Sequence, residues 1–179
     1  MGAQAALEAI ADAGLELADI DLIINGSGTQ EQSIPDGAPL LQRHLGLGDS
    51  GIPCMSVHTT CLGFLMGFNV AANFLANGMY KNILLYASDI TSGFSRTPTD
   101  PEAFVLFGDG AAAAVLTRTP AGETSRMTHW NFSTFGEDAD LTRIRGGGTR
   151  WHPNDPNTLP EHNQFQMDGK AVYRAVMRH

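Results

Sequence analysis

Apolar positions recur every three or four residues at the start of the chain and become continuous shortly afterwards. Leu7, Ile10 and Ala11 fall on one helical face, with Gly14 as the stop, which predicts a helix over 3–13. Asp21-Leu22-Ile23-Ile24-Asn25 predicts a strand, closed by Gly26-Ser27-Gly28. A second, short helix is expected from Ala38 to Leu45, ending near Gly46 and Gly48, and a strand from Cys54 to His58. Leu62 to Asn77 predicts a long helix, apolar nearly all round and therefore buried, with Gly78 at its C-terminal cap. Ile83 to Ala87 predicts a strand buried on both faces, because its apolar run does not alternate. Asp100 to Phe107 reads as a turn or short helix, Ala111 to Thr117 as a strand, and Arg126 to Phe135 as one more strand. From Gly136 to Gln164 the periodicity fails. Gly146-Gly147-Gly148, Pro153, Pro156 and Pro160 there predict a long surface loop before a helix over Asp168 to Met177. Strands alternating with helices predict an α/β domain, a mixed sheet with helices on both sides.

Composition narrows the field of functions. The chain has 179 residues, 42% hydrophobic and 17% charged, the profile of an ordinary globular protein. A net charge of -8 argues against nucleic acid and against an anionic membrane surface as partners. Two cysteines make no disulfide framework, so a cytoplasmic setting is the default expectation. Residues 50–80 lack any Asp, Glu, Lys or Arg, yet Pro53, His58, Asn69, Asn73 and Asn77 interrupt them, which favours a buried strand and helix over a membrane span. The helix under way at the first residues and the one at the last suggest part of a larger protein.

Cys61 is the foremost chemical candidate. It sits where the Cys54–His58 strand gives way to the apolar helix, and a thiol at a helix N-terminus meets free amides and the positive end of the dipole. That setting favours the thiolate, the nucleophilic form. Thr59 and Thr60 suit a strand end and helix cap, and Gly63 lets another group approach the backbone. The bland reading, a small buried thiol, stays open at this point. Cys54, inside a strand, reads as structural, and His58 as a strand histidine satisfied locally. No histidine pair has metal-ligand spacing, so no metal is expected. Phe107-Gly108-Asp109-Gly110 precedes an alanine-rich strand and reads first as a structural turn. Gly146-Gly147-Gly148 lacks the following helix and the lysine of a phosphate loop.

Four segments together resemble the β-ketoacyl-acyl-carrier-protein synthase III group of thiolase-fold ketosynthases. They are AALEAIADAGLELADIDLIING, SVHTTCLGFLMGFNVAANFLANGMYKNILLYASDI, FGDGAAAAVL and FQMDGKAVYRAV. The resemblance runs from about residue 3 to the end. It implies a thiolase-like layered α/β/α/β/α sandwich, of which this chain is one incomplete half: residues 1–164 as the N-terminal half with the nucleophile, including the irregular loop 136–164, and residues 165–179 as the start of the C-terminal half. By the same resemblance Cys61 takes an acyl group from acyl-CoA, and its backbone N–H supplies part of an oxyanion hole. The acyl group is then condensed with malonyl-ACP by decarboxylation, as in fatty acid or polyketide synthesis. Phe107, Asp109 and Met167 match positions that shape the acyl pocket. No permanently bound cofactor is implied; coenzyme A and acyl carrier protein enter with the substrates, and a homodimer is expected.

Departures from the family pattern set the alternatives. The histidine and asparagine that stabilise the malonyl enolate have no counterpart among these residues, so the chain by itself is expected to lack the full catalytic set. His58-Thr59-Thr60 stand where the family has small residues, and an arginine that meets coenzyme A is replaced near Pro101-Glu102. These changes would suit an enzyme that moves the acyl group from Cys61 to an oxygen or nitrogen acceptor without decarboxylation. A non-catalytic partner half is the remaining alternative.

Overall fold

The computed structural model describes residues 1–93 and 105–178. Two compact units divide them: Met1–Ile90 with Asp109–His129, and Thr91–Gly108 with Trp130–His179.

The first unit is built on a four-stranded sheet. Its strands are β1 (Leu22–Asn25), β2 (Cys54–Ser56), β3 (Asn82–Asp89) and β4 (Gly110–Thr117), in the order β2-β1-β3-β4. β1 runs parallel to β2 and β3, while β4 is antiparallel to β3 with Asp89 opposite Gly110. Ile23, Leu84 and Tyr86 face one side, against Ala6 and Ile10 of helix α1 (Gly2–Asp12) and Leu41 of α2 (Gly37–His44). Leu22, Ile24, Ile83 and Leu85 face the other side, against Ala71 and Leu75 of α3 (Gly63–Ala76). The continuous apolar runs of β1 and β3 are thus buried on both faces, as their lack of alternation predicts.

Gly14, Gly46 and Gly78 end the three helices, each at positive φ. The amide of the residue after each glycine bonds five residues back, to Ile10, Gln42 and Phe74.

Three expectations are corrected. In α1 the buried stripe is Gly2, Ala6 and Ile10, while Leu7 is 43% exposed. Small residues win that face because the helix lies close to the sheet; a Cβ on Gly2 would stand 3.1 Å from the Cβ of Ser88. α3 is not buried all round. Only Gly63, Gly67, Ala71 and Leu75 are covered, and Leu65 is 54% exposed, because the sheet alone covers the helix within this unit. Arg126–Phe135 forms no strand. A segment becomes a strand only beside an edge that offers backbone partners, and among the described residues none pairs with this one.

In the second unit the long loop is more ordered than its glycines and prolines suggest. Thr142–Arg143 (β5) pairs antiparallel with Gln166–Met167 (β6), and Gly136–Leu141 and Pro160–Asn163 are 3-10 turns. His162 is buried against the ring of Trp151, centroids 4.1 Å apart, and its Nδ1 accepts from the Leu159 amide. Helix α4 (Gly169–Val176) is capped by Asp168, whose carboxylate accepts from the Ala171 amide at 2.9 Å. Residues 94–104, which include most of the turn or short helix expected at Asp100–Phe107 and the Pro101-Glu102 departure, lie outside the described residues.

Candidate active site

The turn that carries Cys61 begins where β2 leaves the sheet. The Val57 amide still donates to the Asn25 carbonyl at 2.8 Å, and His58 beyond it is exposed. The chain then folds back within four residues. Leu62 N–H donates to the Thr59 carbonyl and Gly63 N–H to the Thr60 carbonyl, at 3.1 and 3.0 Å. α3 starts at once, with Leu62 as N-cap and no side-chain cap. Thr59 and Thr60 therefore do not cap the helix. The Thr60 hydroxyl donates to the Thr59 carbonyl, and the buried Thr59 Oγ1 has no partner among the described residues. The first two amides at the turn close it and are not free to face a ligand.

Thr60 has φ +47°, the sole positive φ at a non-glycine among the described residues. A β-branched side chain there costs about 1–2 kcal/mol, a strain that persists only where the surroundings hold it. Cys61 follows directly and is exposed. The thiol stands at the surface of its unit, two residues ahead of a fourteen-residue helix.

The loop after β1 supports this turn from below. Ideal Cβ positions show how closely the two backbones meet. A Cβ on Gly26 would lie 2.8 Å from the Phe64 N and Cα and from the Gly63 carbonyl carbon, and one on Gly63 would overlap the Gly26 carbonyl oxygen. A Cβ on Gly28 would lie 3.4 Å from the Thr60 carbonyl oxygen and 3.5 Å from Asp89 Oδ1. Gly63 does admit a close approach, and what approaches is Gly26.

Polar side chains fix that loop to the sheet. The Asn25 Oδ1 accepts from the Ser27 amide and hydroxyl at 3.0 and 2.6 Å, and its Nδ2 donates to Ser56 Oγ. The Ser88 amide donates to Ser27 Oγ at 2.9 Å. Asp89 Oδ1 accepts from both the amide and the hydroxyl of Thr29, at 2.6 and 2.9 Å. All of these groups, with Cys61, gather at the C-terminal ends of the parallel strands β1, β2 and β3, the usual place for sites in open α/β sheets.

The other candidates are distributed between the two units. Asp109 is exposed just before β4, at the same end of the sheet as Asp89. Phe107 and Met167 belong to the second unit, where Phe107 meets Phe165 edge to face at 4.6 Å and Met167 pairs with Thr142. Cys54 is half-buried, and its thiol contacts the Ile52 carbonyl at 3.6 Å. Burial, and then the charge of Asp36, push the Cys54 pKa up. Tyr86, which donates to the Gly37 carbonyl at 2.7 Å, is raised far above the usual phenol value by burial first and by Asp36, Cys54 and Glu31 after it. Among the described residues no cluster of three His, Cys, Asp or Glu side chains could hold a metal ion, and no helix is long and apolar enough to cross a membrane.

The profile of the 3-Oxoacyl-[acyl-carrier-protein (ACP)] synthase III family matches residues 55–136, a span that holds the Cys61 turn, α3, β3 and β4. A β-ketoacyl-[acyl-carrier-protein] synthase III of Chlamydia caviae is 36% identical over 179 residues, covering 99% of this chain and 52% of the relative. The chain belongs to the 3-oxoacyl-[acyl-carrier-protein] synthase III family. It spans about half the length of the curated relatives it matches: a Fusobacterium nucleatum synthase III is 31% identical over 97% of this chain and 52% of its own length. The crystal structure of the Pseudomonas aeruginosa synthase III superposes with a TM-score of 0.80 at 27% identity, over 99% of this chain and 50% of that one. Another synthase III crystal structure reaches 0.87 at 23% identity. The fold is accordingly the thiolase-like one, over about half of each neighbour.

Sequence reasoning singled out Cys61 but passed over Asp89, Thr29 and the pairing of Gly26 with Gly63. The signal was available in part. Gly26-Ser27-Gly28 closes a strand whose C-terminal end faces the site, and Asp89 ends the next strand but one in the chain. Which glycine meets which, however, depends on the order of strands in the sheet.

Proposed function

We propose that this chain is the nucleophile-bearing part of a 3-oxoacyl-[acyl-carrier-protein] synthase III. The observation that carries the reading is the exposed Cys61 thiol on a strained turn ahead of α3, inside the span matched by the family profile. The Cys61 thiolate attacks the thioester carbonyl of an acyl-CoA. Coenzyme A leaves as its thiol, taking up a proton, and an acyl-cysteine thioester remains. A malonyl thioester on acyl carrier protein then loses carbon dioxide, and its C2 carbanion attacks the acyl carbonyl. The carbon–sulfur bond breaks, Cys61 leaves as thiolate and a 3-oxoacyl thioester is formed. The Cys61 amide is assigned to the developing oxyanion, and Phe107, Asp109 and Met167 to the walls around the acyl chain. A homodimer is the expected assembly.

Incubation with acetyl-CoA, longer acyl-CoAs and the corresponding acyl-N-acetylcysteamine thioesters tests this by mass spectrometry. The expected result is one acyl group per chain, located on Cys61 and absent from Cys61→Ala. No adduct with any donor would overturn the reading. Release of carbon dioxide from malonyl-ACP, measured on the acylated protein in its complete assembly, separates condensation from transfer to an oxygen or nitrogen acceptor.

A further inference from the structure

We propose that Asp89 is a positioning residue for Cys61, acting as a clamp on the loop beneath the turn. The proposal rests on the reading of Cys61 as nucleophile and adds what holds it in place. Thr60 is strained, and neither threonine of the turn caps α3, so the turn needs support from outside itself. That support comes from residues 26–29. Gly26 lies against Gly63 and Phe64, and Gly28 sits about one carbon's width from the Thr60 carbonyl. The loop has a fixed height only if its far end is anchored, and Asp89 is the anchor. One carboxylate oxygen takes two hydrogen bonds from Thr29, at 2.6 and 2.9 Å, and the Thr29 hydroxyl in turn accepts from the Ile90 amide at 3.1 Å. A charged acceptor makes these bonds short and strong. A Cβ added to Gly28 would stand 3.5 Å from this same oxygen and 3.4 Å from the Thr60 carbonyl oxygen, so the clamp and the turn flank the same residue. The nearer end of the loop has its own tie, through Ser27 to Asn25 and Ser88, and does not substitute for the far one.

The clamp matters because the thiol must meet a carbonyl carbon along a narrow approach. A displacement of about 1 Å in a reacting group costs up to about 100-fold in rate. Asp89 touches neither substrate nor thiol in this account. It acts through Thr29, Gly28 and Thr60.

Three variants of the full chain test it: Asp89→Ala, Asp89→Asn and Thr29→Ala. Asparagine keeps an acceptor oxygen in the same place and loses the charge. Two readouts are taken. The first is hydrogen exchange at the Leu62 and Gly63 amides, which close the turn whether or not any acyl donor binds. The second is the rate of Cys61 acylation at saturating donor, with the half-saturating concentration measured beside it. In Asp89→Ala, exchange at these amides is expected to accelerate about tenfold. Acylation should slow by about 10- to 100-fold with the half-saturating concentration little changed. Asp89→Asn should recover most of both effects, and Thr29→Ala should fall between. Unchanged exchange in Asp89→Ala overturns the clamp, as does an Asp89→Asn variant as impaired as the alanine. If Asp89→Ala does not fold, Thr29→Ala and Asp89→Asn carry the same comparison. Absence of acylation in the unaltered chain sinks the nucleophile reading instead, and the exchange result then decides the clamp by itself.

Discussion

Gly26 and Gly63 meet backbone to backbone. The end of the central strand β1 and the start of α3 touch where neither residue has room for a single additional carbon. The contact seats the helix on the sheet directly under the Cys61 turn. Gly26→Ala and Gly63→Ala should each lower stability by about 1–3 kcal/mol, since the groups in the way are backbone and cannot rotate aside. Gly48→Ala, with open space around it, is the control. Urea midpoints of the three variants check this; equal midpoints would show that the two elements are not packed as described.

Cys61 and Cys54 should differ in reactivity within the same chain. Cys61 is exposed, whereas Cys54 is half-buried with its pKa raised by burial and by Asp36. One equivalent of iodoacetamide near neutral pH should modify Cys61 at least about tenfold faster than Cys54. Peptide mapping reads the ratio. Cys61→Ala should leave the unfolding free energy within about 0.5 kcal/mol of the unaltered protein, as for surface substitutions generally.

Asn25 is 4% exposed and holds Ser27 and Ser56 through three hydrogen bonds. Asn25→Ala leaves the buried Ser27 amide and hydroxyl without their acceptor, at a cost of about 1–3 kcal/mol. The same change should loosen the loop beneath the Cys61 turn. A drop in the unfolding midpoint, together with faster exchange at the Ser27 amide, is the expected pair of results.

Alkaline pH should destabilise the first unit. Cys54 and Tyr86 both have folded-state pKa values above their unfolded ones. In that case the unfolded chain loses its protons first, so the folded state holds more protons and stability falls as pH rises. The contribution is whole below about pH 8.5 and declines above it, first through the thiol and then, above about pH 10, through the phenol. Tyr86→Phe should flatten the upper part of the decline. It should also cost about 1 kcal/mol at neutral pH for the lost bond to the Gly37 carbonyl. Urea unfolding between pH 7 and pH 10.5 measures both, and a stability that rises with pH would contradict the assignment.

Local signals in the chain were sufficient for most elements of the first unit. Gly14, Gly46 and Gly78 end their helices because positive φ is a property of the glycine and its neighbours. Leu22–Asn25 and Asn82–Asp89 are strands because short apolar runs between turn residues have no other way to bury both faces. Cys61 stood out by the same logic, a polarisable nucleophile at the junction of strand and helix. Residue type alone did not decide the caps: Asp36 and Asp168 cap their helices, whereas Thr59 and Thr60 do not cap α3.

Other features required the chain to be folded. Arg126–Phe135 reads as a strand but has no strand paired with it among the described residues, and pairing is a property of neighbours distant in sequence. The apolar circumference of α3 gave no hint that its covered face would be Gly63, Gly67, Ala71 and Leu75. Side-chain volume argues for burying phenylalanine, but the distance from helix to sheet admits only glycine or alanine at the first three of these positions, and leucine only at the fourth. The support of Cys61 by Gly26, Gly28, Thr29 and Asp89 depends on a bond between Thr29 and Asp89, which are 60 positions apart. Chemistry at one residue is written in its type and its immediate neighbours. The position of that residue against its support depends on strand order, which emerges only when the whole sheet assembles.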